Sequence, residues 1–389
     1  MPFQTQFDFR HTTRIVHGPG SIACLADFFS PKDKVLIVTD RVLEEIGTTD
    51  LVAATLGKIP YAVYIRAGSA SPGKISEPSK RCVDSGHRIY KKERCTALIG
   101  LGGGSPMDVA KMIGVLATNG GQINQYLGAD KVTNDLPFLA CVPTTYGTAS
   151  EVTPFAVLDN PKSGNKDPVI SWKVAPKIGV LDPELSIALP ASVGASTGMD
   201  ALTHALESYI NLMATPITEG IALHAIQLIG ENLRLACAND HELAATENML
   251  IASMMAGLAF SQTRLGNVHA MSHPVGARYH VHHGLANAIL LPYVMEFNLL
   301  ARPAKFAIIA ETLGADTSGL DQREAAQLAV DTVRDINDDL GIPAKLGDVG
   351  VKKTHIRPMA KAAMLSGNIA VNPRKTSQRD LETIFHKAI

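Results

Sequence analysis

At 389 residues the chain is longer than one hydrophobic core usually sustains, so two domains are expected. Its 36 basic and 37 acidic residues nearly cancel, with no long run of one sign, which removes the electrostatic case for nucleic acid or an anionic membrane as partner. A small molecule is the expected partner. The first twenty residues lack the apolar centre of a signal peptide, and no run of about 18 uninterrupted apolar residues occurs, so a cytoplasmic protein is expected. Cys24, Cys82, Cys95, Cys141 and Cys237 are scattered and form no CxxC pair, so any metal must be held by oxygen and nitrogen.

The first half alternates short β-branched runs with helical patterns, the signature of a parallel α/β sheet. KVLIVTD (34–40) reads as a buried strand ending in an acid, followed by a helix through 51–56. YAVYIRA (61–67) is a second strand and 76–92 a helix. TALIGLGGGSPMDVAKMIGVLAT (96–118) reads as strand, glycine turn and helix. FLACVPTTYGTASEVT (138–153) is a strand emptying into a Thr- and Gly-rich loop, and 169–185 offers one or two more strands. Beyond about Leu189 the texture changes to long apolar-periodic segments. These predict helices over 197–212, 216–236, 241–261, 265–275, 285–298, 302–313, 322–340, 353–366 and 378–388. The expected organisation is an α/β dinucleotide-binding domain, 1–187, followed by an all-α metal-binding and substrate domain, 188–389.

Two loops of the first half carry binding chemistry. Gly102, Gly103, Gly104 and Ser105 lie between an apolar strand and a helix whose first turn holds Pro106 and Asp108. Glycines let the backbone turn sharply and approach a ligand, and free N–H groups at the helix start attract a pyrophosphate. The run only loosely imitates the dinucleotide fingerprint. Asp40, closing an earlier strand, can accept hydrogen bonds from an adenosine ribose and repel a 2′-phosphate, which favours NAD over NADP. Thr144, Thr145 and Thr148 form a hydroxyl-rich loop able to donate to phosphate or to the nicotinamide amide.

The second half carries metal chemistry. Eight of the thirteen histidines fall between 204 and 283. Asp200 and His204 are four apart in a helical pattern begun by the N-cap candidates Ser196 and Thr197, so both project from one face. His269 and His273 repeat that spacing, and His280, His282 and His283 supply a third cluster from which spacing selects no single ligand. Carboxylate and imidazole donors without thiolate suit Fe2+, Zn2+, Ni2+ or Mn2+.

GGGSPMDVAK (102–111), PTTYGTASEVT (143–153), GMDALTHALESY (198–209) and HAMSHPVGARYHVHHGLANAILLPYV (269–294), together with VHGPGSI near the start and NPR (372–374) near the end, resemble the blocks of the iron-containing (group III) alcohol dehydrogenases, which include lactaldehyde reductases and 1,3-propanediol dehydrogenases. The resemblance implies a Rossmann-like first domain and a helical second domain, the dehydroquinate synthase-like arrangement. It also implies an NAD- and Fe2+-dependent activity and a homo-oligomer. It places the metal ligands on Asp200, His204, His269 and His283, and puts His273 near nicotinamide and substrate as a proton-handling, non-ligating histidine. Asp40, the glycine turn, Thr144, Thr145, Thr148 and Lys166 fall on cofactor positions. The chain departs from the family pattern at His282, commonly proline, and at Arg264, Asn267, Arg278 and Phe155.

The implied reaction moves hydride between nicotinamide and a short or medium alcohol or aldehyde, with the metal as Lewis acid on the substrate oxygen. The alternative is reduction of an anionic carbonyl compound, a phosphonate- or carboxylate-bearing aldehyde, with Arg264 or Arg278 as anion partner. A further class is a non-redox lyase on a related fold that uses NAD only transiently.

Overall fold

The computed structural model describes residues 7–66, 78–160, 165–239 and 241–389. It divides into an α/β unit, His11–Ala188, and a helical unit, Leu189–Ile389, with which residues 7–10 are grouped.

The α/β unit runs β1 (Arg14–His17), β2 (Val35–Thr39), α1 (Arg41–Glu45), α2 (Thr48–Thr55), β3 (Tyr61–Ile65), α3 (Lys80–Lys92), β4 (Ala97–Gly102), α4 (Gly104–Asn119), β5 (Gly128–Ala129), β6 (Phe138–Pro143), β7 (Phe155–Asn160), β8 (Asn165–Ile170) and β9 (Ile178–Leu181). Six strands form one parallel sheet in the order β1-β9-β6-β4-β2-β3. β2 and β4 are buried at every position, as strands covered on both faces must be. Their side chains alternate between two cores. Val35, Ile37, Ile99 and Ala140 pack with Leu25 and Leu56 on one face. Leu36, Val38, Leu98 and Cys141 pack with Val109 and Ile113 on the other.

The sequence pattern leaves out β1, whose four residues RIVH are only half-buried and carry no clear period. The one or two strands expected in 169–185 are present but belong to different sheets. Only Ile178–Leu181 enters the large sheet, whereas Asn165–Ile170 pairs antiparallel with Phe155–Asn160 in a separate sheet, β5-β8-β7. Apolar spacing marks a strand but does not say which sheet it joins.

Lys111 on α4 holds this hairpin to the Rossmann-like core. It is completely buried, and its ammonium donates to Thr153 O (3.0 Å), Thr153 Oγ1 (3.3 Å) and Phe155 O (2.7 Å). Three acceptors match its three protons, and Asp108 Oδ1 at 3.9 Å offsets the charge.

The helical unit contains α5 (Ala191–Ile210), α6 (Pro216–Ala238), α7 (Leu243–Thr263), α8 (Asn267–Tyr279), α9 (His283–Leu299), α10 (Pro303–Thr312), α11 (Gln322–Asp339), α12 (Ile356–Ala363) and α13 (Gln378–Ala388). α5 is its axis: every residue from Gly194 to Ile210 is buried, beneath α6, α7 and α9. The helix begins at Ala191 after Pro190, earlier than Ser196 and Thr197 imply. Those two sit inside it, their hydroxyls donating back to Val193 O at 3.1 and 2.9 Å, the usual refuge of Ser and Thr within a helix. α7 is long and apolar enough to cross a bilayer, yet more than half of it is buried within this unit. Pro292 inside α9 has no N–H for the Ala288 carbonyl, and Asn337 Nδ2 donates to that carbonyl instead at 2.9 Å. The five cysteines are free thiols.

Glu151, in the threonine-rich loop, is 2% exposed, and burial pushes its carboxyl from 4.5 up to about 7 against the opposing pull of a backbone N–H and Lys111. The folded state therefore keeps a proton that the unfolded chain releases above its ordinary value. Stability from this group is full below about pH 4.5 and declines as pH rises toward 7. Chemical unfolding from pH 4.5 to 8 should show that decline, and Glu151→Gln should flatten it; an unchanged slope in the variant would show that Glu151 is not its source.

Candidate active site

Three elements bring the predicted metal donors together. α5 contributes Asp200 and, one turn on, His204; α8 contributes His269; the first residue of α9 is His283. The Nε2 atoms of His204, His269 and His283 lie 3.8, 3.7 and 3.8 Å from one oxygen, Asp200 Oδ1. Donor atoms of Asp200, His269 and His283 all fall within 4.8 Å of one another. A tetrahedral site with bonds of about 2.1 Å has edges near 3.4 Å, so the Nε2 to Oδ1 separations are close to what a divalent ion needs, while the widest donor spacing would have to shorten by about 1 Å. Four oxygen and nitrogen donors without thiolate fit such a metal.

Close approach of the helices depends on glycine. A Cβ on Gly284 would lie 2.1 Å from the Ser196 carbonyl oxygen and 3.2 Å from Asp200 Cβ, so only glycine lets the start of α9 press His283 against α5. His282 is the residue before that helix and His280 ends α8 in the left-handed region, with φ 56°. It is His283, of the three clustered histidines, that reaches Asp200 Oδ1.

Two residues absent from the sequence reading complete the group. Glu207 is buried on α5, seven residues after Asp200 and on the same face. Its Oε2 accepts from His269 Nδ1 (2.7 Å) and Gly266 N–H (2.9 Å), and its Oε1 from Val268 N–H (2.6 Å). Asn287, one turn after His283, donates from Nδ2 to Asp200 Oδ1 at 2.6 Å and lies 3.1 and 3.2 Å from His269 Nε2 and His283 Nε2. Its Oδ1 is buried without a hydrogen-bond partner among the described residues. Asn372, within the NPR segment, accepts the Asn267 N–H at 3.3 Å and exchanges amide hydrogen bonds with Asn298. Asn267 itself donates to Thr376 Oγ1 at 2.9 Å. The helical spacing Asp200-x-x-x-His204-x-x-Glu207 puts Glu207 on the ligand face of α5 but does not name its partners on α8.

Charge is concentrated here. Burial works to raise the Asp200 carboxyl, but His204, His283 and His269 outweigh it and hold the group well below the usual carboxylate range. Burial alone would lower His269; the Asp200 and Glu207 carboxylates raise it instead, to about 9. His273 stands one turn beyond His269, its ring stacked 5.3 Å from that of His283. Arg264, at φ 64°, turns its guanidinium toward Gly367, and Arg278 is exposed near the end of α8.

In the α/β unit, the ends of the adjacent strands β6, β4 and β2 carry the predicted nucleotide residues other than Asp108, on α4, and Lys166, on β8. Gly102 has φ 136°, and a Cβ there would meet Pro106 Cγ at 2.6 Å. A Cβ on Gly104 would sit 2.9 Å from Thr148, and one on Gly103 would lie 3.5 Å from Thr145 Oγ1. Thr144 N–H donates to Gly102 O at 3.0 Å. The glycine turn and the threonine loop are thus one surface, with Ser105 in the first turn of α4. Asp108 has both carboxylate oxygens engaged within the unit, accepting from Ser150 Oγ (2.6 Å) and Val157 N–H (2.9 Å). Asp40, at the end of β2, pairs with the buried Arg66 at the end of β3; burial raises its carboxyl while Arg66 pulls it down. Lys166 has its backbone in β8, but its side chain lies outside the described residues.

Family models agree with this arrangement at both ends of the chain. One described as iron-containing alcohol dehydrogenase matches residues 12–183, and one described as the C-terminal part of the Fe-containing alcohol dehydrogenase family matches 194–389. The chain belongs to the iron-containing alcohol dehydrogenase family. The enzyme is 43% identical over 357 residues to 1,3-propanediol dehydrogenase of Citrobacter freundii, covering 91% of each chain. It is 39% identical to the NAD-dependent methanol dehydrogenase of Bacillus methanolicus, covering 92% of each. A crystal structure of a 1,3-propanediol oxidoreductase superposes with TM-score 0.93 at 40% identity, over 99% of this chain and 100% of that one.

Gly284→Ala forces a methyl group onto the Ser196 carbonyl, an overpacking expected to cost about 3 kcal/mol or more. Unfolding midpoint and bound metal should fall together in the variant; wild-type values for both would refute the close packing of α9 on α5.

Proposed function

We propose that the enzyme is an NAD-linked, iron-dependent dehydrogenase of short or medium alcohols that also runs in reverse as an aldehyde reductase. The observation that carries this reading is the convergence of three imidazole Nε2 atoms on Asp200 Oδ1. Relatives named as dehydrogenases of 1,3-propanediol and methanol support small neutral substrates. In this reading Asp200, His204, His269 and His283 hold Fe2+, with Zn2+ or Ni2+ as substitutes. Bound there, a divalent metal supplies Lewis-acid polarisation of the substrate oxygen, and NAD supplies the hydride acceptor.

The chain's own residues do the rest. Asn287 orients the Asp200 carboxylate. His273, whose ordinary pKa is close to neutrality, takes or returns the substrate proton. Gly102, Gly103, Gly104 and Ser105, with Thr144, Thr145 and Thr148, bind the cofactor's phosphates and amide; Asp108 holds that turn in place, and Lys166 joins the cofactor set. Asp40 accepts the ribose hydroxyls and selects NAD over NADP. The proposal also includes cofactor binding by 1–187, metal and substrate binding by 188–389, a cytoplasmic location and a homo-oligomeric assembly.

The test is an anaerobic assay of Fe2+-reconstituted enzyme with NAD and NADP against short diols, primary alcohols, neutral aldehydes and aldehydes bearing carboxylate or phosphonate. NAD-dependent turnover of the neutral compounds that disappears on chelation is expected. Preference for acidic aldehydes would establish the anionic-substrate alternative, and metal-independent turnover would sink the metal role. His269→Ala should lose metal and turnover together, whereas His273→Ala should keep stoichiometric metal and turn over more slowly. Metal loss in His273→Ala would make it a ligand.

A further inference from the structure

We propose that Glu207 is a positioning residue for the metal centre: it holds the His269 proton on Nδ1, turns the Nε2 lone pair toward Asp200, and thereby sets metal affinity. This rests on the metal-binding reading above. The geometry is specific. Glu207 accepts three hydrogen bonds, two from backbone N–H groups at the start of α8 and one from His269 Nδ1. It thus fixes both the helix that carries His269 and the ring itself. Two backbone N–H groups already donate to this carboxylate, so it meets His269 as an acceptor: Nδ1 carries a proton, and Nε2, 3.7 Å from Asp200 Oδ1, is the ring atom a metal would take.

The position tolerates no neutral isostere. Glutamine replaces one oxygen with an NH2 group. Placed where Oε2 is, that group faces the Gly266 N–H and drives the proton of His269 from Nδ1 to Nε2. Placed where Oε1 is, it opposes the Val268 N–H, which now lies at 2.6 Å from that atom. Either orientation sets donor against donor in a buried site, and the first also blocks the ligating nitrogen.

Removal of such an outer partner weakens metal binding by about 10–100-fold. The experiment measures Co2+ affinity by chelator competition in the full-length enzyme, with the Co2+ visible spectrum and the unfolding midpoint of each metal-free variant. Glu207→Gln should weaken Co2+ binding at least tenfold and alter its spectrum. Asn372→Ala is the control: it removes the acceptor of another N–H at the start of α8 without touching His269. It should lower the unfolding midpoint but leave Co2+ affinity within about threefold and the spectrum unchanged. If Glu207→Gln does not fold, Glu207→Asp, which keeps the charge with shorter reach, should weaken Co2+ binding with an altered spectrum. Native Co2+ affinity and spectrum in whichever Glu207 variant folds would overturn the proposal, as would equal loss of affinity in Asn372→Ala. Failure of the wild-type enzyme to bind Co2+ would instead defeat the metal-binding reading itself.

Discussion

One carboxylate oxygen, Asp200 Oδ1, is approached by three imidazoles and one amide inside a helix buried on every side. An ionised group in such a place is strongly disfavoured unless every lone pair is used. α5 therefore cannot be covered by arbitrary apolar helices. α8 and α9 must arrive with donors at fixed heights, and the backbone must allow it. Gly284 permits the first turn of α9 to reach α5, and Gly266 permits α8 to begin against Glu207, whose Oε1 would lie 2.8 Å from a Cβ there. The cap of α8 comes from elsewhere in the chain: Gly266 offers no side chain, and Glu207 of α5 and Asn372 take its first N–H groups.

The α/β unit follows a parallel logic around a cation. Lys111 spends its three protons on the loop and strand that follow the threonine-rich segment. Asp108, three residues before it, binds Ser150 and Val157 on the same partner. One helix turn thereby fixes the threonine loop beside the glycine turn from which the helix springs. The glycines serve two ends there: Gly102 adopts a positive φ, and Gly104 leaves room for Thr148.

Much of this was legible in the sequence because it repeats a period. The interior strands announce themselves by unbroken apolar runs, and the Asp200/His204 and His269/His273 pairs by helical spacing. Partners between elements were not legible. Glu207 looked like one more polar residue in GMDALTHALESY until α8 was seen to start against it, and Asn287 until it was seen to face Asp200. Spacing also left His280, His282 and His283 equivalent; the turn that ends α8 at His280 and the glycine after His283 separate them in space. β1 escaped because a short, half-buried edge strand has almost no pattern to read. The start of α5 was placed late because Ser196 and Thr197 have cap chemistry but use it on a carbonyl within the helix.

Charge balance links these observations to chemistry. Asp200 and Glu207 bring two carboxylates into a site less than 5% exposed at either residue, facing three imidazoles that are neutral when they ligate. Such a group is short of about two positive charges, and hydrogen bonds from Asn287 and the α8 backbone soften the deficit without cancelling it. The two carboxylates outweigh burial at His269 and raise that imidazole to about 9. A divalent cation answers all of the deficit and uses the donor geometry already in place. Two buried carboxylates among neutral donors suit a doubly charged ion better than a monovalent one.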